Sequence, residues 1–443
     1  MMKTTDAFVD YLIEINEVDL TPKIKNTARN CLLDFLGCVY VGATMYSGKL
    51  DMLTSRSGDS SVIGTNAKAD PAIAAFINGF HAHSTELDDG HRFGMIHLGS
   101  VIISAVLAIF ESQALSMDSL LKGLVVGYEA AARLAISIQP GHKNKGFHTT
   151  GTCGTIGAAV GCSIAMDFDY AQMKTAISAA AASAAGILEI QEDASELKAY
   201  NIAHAAMSGV MAALVGSTGL NCPDDILFGD RGWMKLFSDT LNEKKITEKT
   251  TYYEIERIYR KPYAACRHCH SAIEAVLKIT ENNSQTAALV NSIEVSTYEL
   301  AIKGHDHKEI RGIASAKLSM PYSVAAAFVL HSCSLDAFDQ ISLANPDIIA
   351  LTQKVKVIEN VDFSNLSSEK RIAEVRIDYM DGSEAIHRVD YAKGDPENPM
   401  TDAEIREKFK FIMGYCGLTK KAQAILQLFE NPYIDVDKFV SIL

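Results

Sequence analysis

One tryptophan, ten prolines and an aromatic share of 8% are little for a chain of 443 residues. With few bulky rings and long Ala-rich stretches, the expected interior is one of closely packed helices. Positive charge is also scarce. Lys and Arg number 41 against 54 Asp and Glu, a net charge of −13, which argues against a nucleic-acid surface or adhesion to anionic lipid. The longest uncharged apolar stretch lies near Val101–Phe110 and falls short of the ~20 residues a spanning helix needs, so no membrane span is expected. Residues 1–10 carry Asp6 and Asp10 and lack both a basic and an apolar segment of signal type. The nine cysteines are scattered without a framework spacing and are expected to be reduced thiols in a cytoplasmic setting. What remains is ordinary globular composition, 48% hydrophobic and 21% charged, long enough for two or three domains.

The first half reads as helix after helix. Phe8, Tyr11, Leu12 and Ile15 recur on one helical face, and Thr21-Pro22 is an N-cap followed by Pro at the first helical position. Pro71–Phe80, Ser100–Gln113, Ser116–Ile138, Gly154–Ala165 and Tyr170–Leu188 are further helical segments. Gly154, Gly157 and Gly161 share one face, and since glycine costs about 1 kcal/mol inside a helix, close helix–helix approach is the expected reason. No G-x-G-x-x-G follows a strand here and no P-loop lysine follows the glycines, so a nucleotide site is rejected.

After about residue 245 the texture changes. Thr250–Tyr259, Ser292–Leu300 and Lys354–Ile358 read as strands, and Glu374–Met380 and Ser383–Val389 flank the hairpin turn Asp381-Gly382. Helical patterns at Ser271–Ile279 and Tyr322–His331 lie between them. Pro396 and Pro399 then mark a linker, and Thr401 with Glu404 forms a capping-box pattern before the stripe Ile405, Phe409, Ile412. The expected fold class is mainly α, with an α+β module at 251–393 inserted in a helical domain of 1–250 and 394–443.

Histidine carries the chemical information. His81, His83, His91 and His97 crowd around Glu86-Leu87-Asp88-Asp89. His142 and His148 flank Lys143 and Lys145, Lys198 and His204 lie in ELKAYNIAHAA, and Lys261, Arg267, His268 and His270 lie in KPYAACRHCHSAIEA. An acidic protein that gathers cations and histidines beside apolar helices builds a local anion site with proton-transfer capacity. The competing reading of each histidine is a structural or solvated one, and His83 is taken as structural. HAHSTELDDGH lacks H-E-x-x-H, and Cys266-x-x-Cys269 has no second C-x-x-C, so no metal is expected. No G-x-S-x-G elbow occurs, and Cys266 beside Arg267 is the one candidate for an activated thiol. His305-Asp306-His307 reads as an exposed loop.

ELDDGH with His97 after it, GFHTTGTCGTIGAA, ELKAYNIAHAA, GDRGWMKLF, KPYAACRHCHSAIEA, SMPYSVAAA and GDPENPMTDAEIREKF occur in this order over nearly the whole chain. Together they resemble the MmgE/PrpD family, which includes 2-methylcitrate dehydratase, cis-aconitate decarboxylase and iminodisuccinate epimerase. The resemblance implies a helical domain built from both chain ends with an α+β lid inserted, a homodimer, and action on small di- or tricarboxylates without metal or organic cofactor. It implies catalytic roles for His97, His148, Lys198, Lys261 and Tyr322. Asp88 and Asp89 of the acidic motif, and Cys266, Arg267 and His270 of the lid segment, are the matching substrate-binding positions. Two departures bear on activity: Cys266 stands where cis-aconitate decarboxylases carry a histidine, and Gly90 where they carry threonine. The expected activity is therefore that of a hydro-lyase, with an epimerase of an iminodisuccinate-like dicarboxylate as runner-up. A decarboxylase and a non-catalytic carboxylate-binding relative are the further alternatives.

Overall fold

The computed structural model describes residues 5–55, 58–192, 195–281 and 285–443. Its Cα framework separates into two compact units. Of the described residues, one holds those from Thr5 to Glu192, Leu197–Ile258 and Asp402–Leu443; the other holds residues 195–196 and Tyr259–Thr401.

Counting helices of seven residues or more, the first unit opens with α1 (Thr5–Glu17), α2 (Pro22–Met45), α3 (Pro71–Ser84), α4 (Gly99–Ser112) and α5 (Met117–Ile138). It continues with α6 (Thr149–Ala165), α7 (Tyr170–Ser183) and α8 (Lys198–Gly216). The caps are chemical. Thr21 Oγ1 accepts from the Ile24 amide, Asp70 from Ala72, and Asp169 with Gln172 forms a capping box at α7. The glycine face of α6 has the expected cause. A Cβ on Gly157 would lie 2.5 Å from Ala131 Cβ and 2.9 Å from the Gly127 carbonyl, and one on Gly161 2.9 Å from the Gly123 carbonyl. Helices α5 and α6 therefore touch backbone to backbone, which only hydrogen side chains permit.

Four observations differ from the sequence reading. A two-stranded antiparallel ladder, β1 (Ser60–Ser61) with β2 (Lys68–Ala69), lies within the otherwise helical unit. Residues 250–259 are not a strand but contain a 3₁₀ turn, Glu254–Arg257. The reason is Glu254: its amide donates to Glu129 Oε2 at 2.6 Å and its carboxylate meets His91 Nε2 at 2.9 Å, so a buried polar network draws the backbone off any ladder. Helix α7 stops at Ser183, since the chain then extends through Ala184 toward Gly186, whose φ of +141° is a glycine conformation. Finally, α8 is, among the described residues, long and apolar enough to cross a bilayer by length and composition, with 67% of its apolar window buried. Lys198 and His204 kept it from standing out as an uncharged run.

The second unit contains α9 (His270–Glu281), β3 (Val290–Thr297), α10 (Met320–Leu330), α11 (Pro346–Lys354), β4 (Val355–Glu359), β5 (Ala373–Tyr379) and β6 (Glu384–Val389). Its sheet has the order β4-β3-β5-β6, with β3 parallel to β4 and antiparallel to β5. Alternate residues of β5 (Ala373, Val375, Ile377 and Tyr379) are buried, as a sheet covered on one face requires. The β5–β6 turn is the Asp381-Gly382 hairpin, with Gly382 at φ +86°.

The last helices, α12 (Asp402–Tyr415), α13 (Thr419–Glu430) and α14 (Val436–Ile442), belong to the first unit. Buried Lys408 of α12 forms an ion pair with Asp34 of α2 at 2.6 Å and donates to the Leu87 carbonyl at 2.8 Å. The fold is thus mainly α, with a helical domain made from both chain ends and an α+β insertion.

Candidate active site

Lys408 fastens the acidic loop that follows α3. Thr85 Oγ1 bonds the Ala82 carbonyl at 2.9 Å and accepts from the Leu87 amide at 3.2 Å, and Glu86 sits in the left-handed region at φ +56°. A non-glycine residue held there is a local cost accepted for orientation. The loop delivers two buried carboxylates. Asp88 Oδ2 accepts from Ser100 Oγ at 2.8 Å and lies 2.8 Å from His83 Nδ1 and 3.5 Å from His97 Nδ1. Asp89 accepts from the Gly99 amide at 2.8 Å and from the Tyr128 hydroxyl at 2.7 Å, and burial raises its pKa to about 6. A Cβ on Gly99 would lie 3.0 Å from both Asp89 carboxylate oxygens, so glycine at the start of α4 keeps this seat open.

His97 follows a tight reversal in which His91 and Ile96 exchange backbone hydrogen bonds. Its Nδ1 lies 2.8 Å from the Asp89 carbonyl, which can only accept, so Nδ1 carries the proton and Nε2 is the basic nitrogen. Its amide donates to Thr150 Oγ1 at 3.1 Å, tying it to the first turn of α6. The side chain is 15% exposed.

His148 is the N-cap residue of α6, and its tautomer is the opposite one. Asn201 Nδ2 donates to the Ile187 carbonyl at 3.1 Å, which fixes the amide's orientation, and lies 3.0 Å from His148 Nδ1. Nδ1 therefore accepts, and Nε2 carries the proton. Burial, followed by the Lys198 charge and the neighbouring His83 and His97 rings, holds its pKa well below the ordinary histidine value, so the ring is neutral.

Lys198 opens α8, one helical turn before Asn201, and forms an ion pair with Glu86. Glu86 Oε1 is also 4.0 Å from His83 Nε2. His83 was expected to be structural, but it lies inside the network: its ring meets that of His97 edge-on at 4.8 Å and its Nδ1 reaches Asp88. The unit therefore gathers Glu86, His83, Asp88, Asp89, His97, His148 and Lys198. Ser100, Tyr128, Thr150 and Asn201 also belong to the site and were not singled out from sequence. Asn201 had one signal, a polar residue three positions after Lys198 on an Ala-rich helix.

The donor atoms of His83, Asp88 and His97 lie within 4.8 Å of one another, a spacing at which a metal ion could be held. His97 Nδ1 donates to a backbone carbonyl and leaves Nε2 as the ring nitrogen with a lone pair, which suits a metal ligand and a general base alike. Two further histidines of the first unit serve the fold. His91 pairs with Glu254, and His142 bridges the Phe237 carbonyl at 2.9 Å and Thr152 Oγ1 at 2.8 Å.

The other expected site residues lie in the second unit. Lys261 is fully buried. Arg267 forms a buried ion pair with Asp395 at 2.5 Å, and His270 Nε2 lies 3.1 Å from the Ala265 carbonyl. The Tyr322 hydroxyl donates to the Ala337 carbonyl at 2.8 Å. Cys266 Sγ lies 3.8 Å from His305 Nε2. The 305–307 segment is only partly the exposed loop expected: Asp306 is exposed, whereas His305 and His307 are half-buried and hydrogen-bonded to the 315–318 turn.

Residues 6–245 match the MmgE/PrpD N-terminal domain and residues 263–431 the MmgE/PrpD C-terminal domain. The chain belongs to the MmgE/PrpD family. Within it, a cis-aconitate decarboxylase of Aspergillus terreus (strain NIH 2624) is 25% identical over 426 residues, covering 89% of this chain and 86% of its own length. A cis-aconitate decarboxylase-like protein (oryM) of Aspergillus oryzae is 26% identical over 438 residues, with 92% and 89% covered. The cis-aconitate decarboxylase of Homo sapiens is 22% identical over 436 residues, with 93% and 88% covered.

Proposed function

We propose that this MmgE/PrpD protein is a lyase of a small di- or tricarboxylate, acting by removal of a proton from the carbon beside a carboxylate and elimination of water. The observation that carries the reading is the opposite tautomers of His97 and His148. A general base needs a lone pair and an orienting partner, and His97 has Nε2 as its basic nitrogen with Nδ1–H held by the Asp89 carbonyl. The enediolate that develops needs a donor that does not itself surrender a full proton. A neutral imidazole with Nε2–H, as at His148, is such a donor, and it is worth most in a dry pocket. Lys198 supplies fixed positive charge for a carboxylate and a proton for the departing hydroxyl. Lys261 lies in the inserted unit and takes no part in these steps. Tyr322, whose hydroxyl is engaged by Ala337, is read as a packing residue of that unit.

Epimerisation is less well served. It needs a second group able to return a proton to the opposite face; a neutral His148 is a weak acid, so that task too would fall to Lys198. Decarboxylation is the second reading, because the relatives named above are cis-aconitate decarboxylases. It needs a proton donor at the carbanion but no base, so the basic nitrogen of His97 would have no first task. Proton NMR in D2O with a panel of citrates, tartrates and aminodicarboxylates tests the reading. A new vinyl signal with no carbon dioxide evolved is expected; exchange without net turnover, or stoichiometric carbon dioxide, would replace it with one of the other two.

A further inference from the structure

The second unit holds a thiol–imidazole arrangement that the proton chemistry above does not use. Cys266 is half-buried, and its Sγ lies 3.8 Å from His305 Nε2. His305 Nδ1 lies 2.9 Å from the Leu318 carbonyl, an obligate acceptor, so the ring proton sits on Nδ1 and the Nε2 lone pair faces the thiol. Both partners are pinned to the 317–320 segment. The Cys266 amide donates to the Lys317 carbonyl at 2.8 Å, and the Met320 amide donates to the His305 carbonyl at 2.7 Å.

Behind this pair a second ring, His268, lies 5.2 Å from His305. Its Nδ1 accepts from the Tyr298 hydroxyl at 2.7 Å, with the Arg371 guanidinium 3.2 Å away. That guanidinium disfavours a second positive charge on His268, so His305 is the ring of the pair suited to take a proton. Nucleophile, base and a third group orienting the base are the parts an activated thiol requires.

We propose that Cys266 and His305 form a nucleophilic dyad, and that Cys266 is a covalent modification site for soft carbon electrophiles such as haloacetamides and conjugated carbonyl compounds. The thiol proton passes to His305 Nε2 as Sγ bonds to carbon. With a haloacetamide, the carbon–halogen bond breaks and halide leaves. With a conjugated acceptor, the π pair moves to the α-carbon, which then takes the proton from His305. The inference is independent of the substrate reading, since it uses no group of the first unit.

The remaining thiols supply the contrast. Burial pushes Cys38, Cys153, Cys162 and Cys333 well above the ordinary thiol range, which leaves them inert. Cys222 and Cys416 are half-buried like Cys266, but among the described residues no imidazole is hydrogen-bonded to either.

The test is limited alkylation of the full chain by iodoacetamide at pH 7, with the rate at each cysteine read by peptide mass spectrometry. Cys266 is expected to react about ten-fold or more faster than Cys222 and Cys416. His305→Gln is expected to remove that advantage while leaving the Cys222 and Cys416 rates and the thermal melt unchanged. Equal rates at Cys266, Cys222 and Cys416 in the unaltered protein would overturn the proposal. So would a fast Cys266 whose rate is indifferent to His305→Gln.

Discussion

Asn201 donates its side-chain amide to His148 Nδ1 at 3.0 Å while the same nitrogen bonds the Ile187 carbonyl, and this contact decides which nitrogen of His148 carries the proton. Replacing that donor by an acceptor inverts the arrangement. Asn201→Asp draws a proton to Nδ1 and raises the His148 pKa; the neutral ring then lacks its Nε2–H, and the imidazolium, which keeps it, surrenders a full proton to the enediolate. We expect kcat to fall about 10²-fold with KM little changed, and the acid limb of the kcat profile to move to higher pH. A unchanged profile with lost activity would mean that Asn201 merely packs.

His97, Lys198 and His83 should separate by kinetic signature. His97→Asn removes the base and should cost kcat about 10²-fold or more. Lys198→Met should raise KM as well, because charge that holds a carboxylate contributes to ground-state binding. His83→Asn should lower kcat about ten-fold, since Asp88 then loses a partner that holds it against His97. Steady-state kinetics on the substrate found by NMR checks all three.

Metal removal is the next discriminator. The proposed chemistry uses the His97 Nε2 lone pair as a base rather than as a ligand, so dialysis against a strong chelator should leave kcat unchanged. Loss of activity, restored by one divalent metal, would reassign His83, Asp88 and His97 as ligands.

Acid stability follows from histidines held neutral by burial. His81 makes no hydrogen bond through either ring nitrogen, and burial lowers its pKa to about 4; His142 is lowered to about 4 by the same cause. In the unfolded chain both take up a proton near the ordinary value of about 6.5. Stability is therefore full above that value and falls as the pH drops toward 4. His81→Leu, which keeps an apolar side chain where the ring was, should narrow the gap in Tm between pH 8 and pH 5 by about 2 °C or more.

The fold was legible where one physical signal dominated. Periodicity placed the helices, alternation with Asp381-Gly382 placed the β5–β6 hairpin, and the α6 glycines announced the approach to α5. The reading failed at Thr250–Tyr259, where β-branched and aromatic residues favour a strand locally but Glu254 is pulled into a buried network with His91 and Glu129. At the site, the clustering of His97, His148 and Lys198 with the acidic motif pointed to chemistry. The division of labour did not show, because a tautomer depends on partners distant in sequence: Asp89 is eight residues from His97, and Asn201 fifty-three from His148. The contact of His83 with Asp88 was not legible for a related reason, since it forms only once the left-handed turn at Glu86 folds the loop back.

The central claim, that His97 is the base, is tested most directly by proton exchange at the substrate carbon. In D2O, the unaltered protein should exchange the proton beside the carboxylate at a rate at least equal to turnover. His97→Asn should slow that exchange about 10²-fold or more while substrate still binds. Exchange at the unaltered rate in His97→Asn would contradict the account and move the base to another residue.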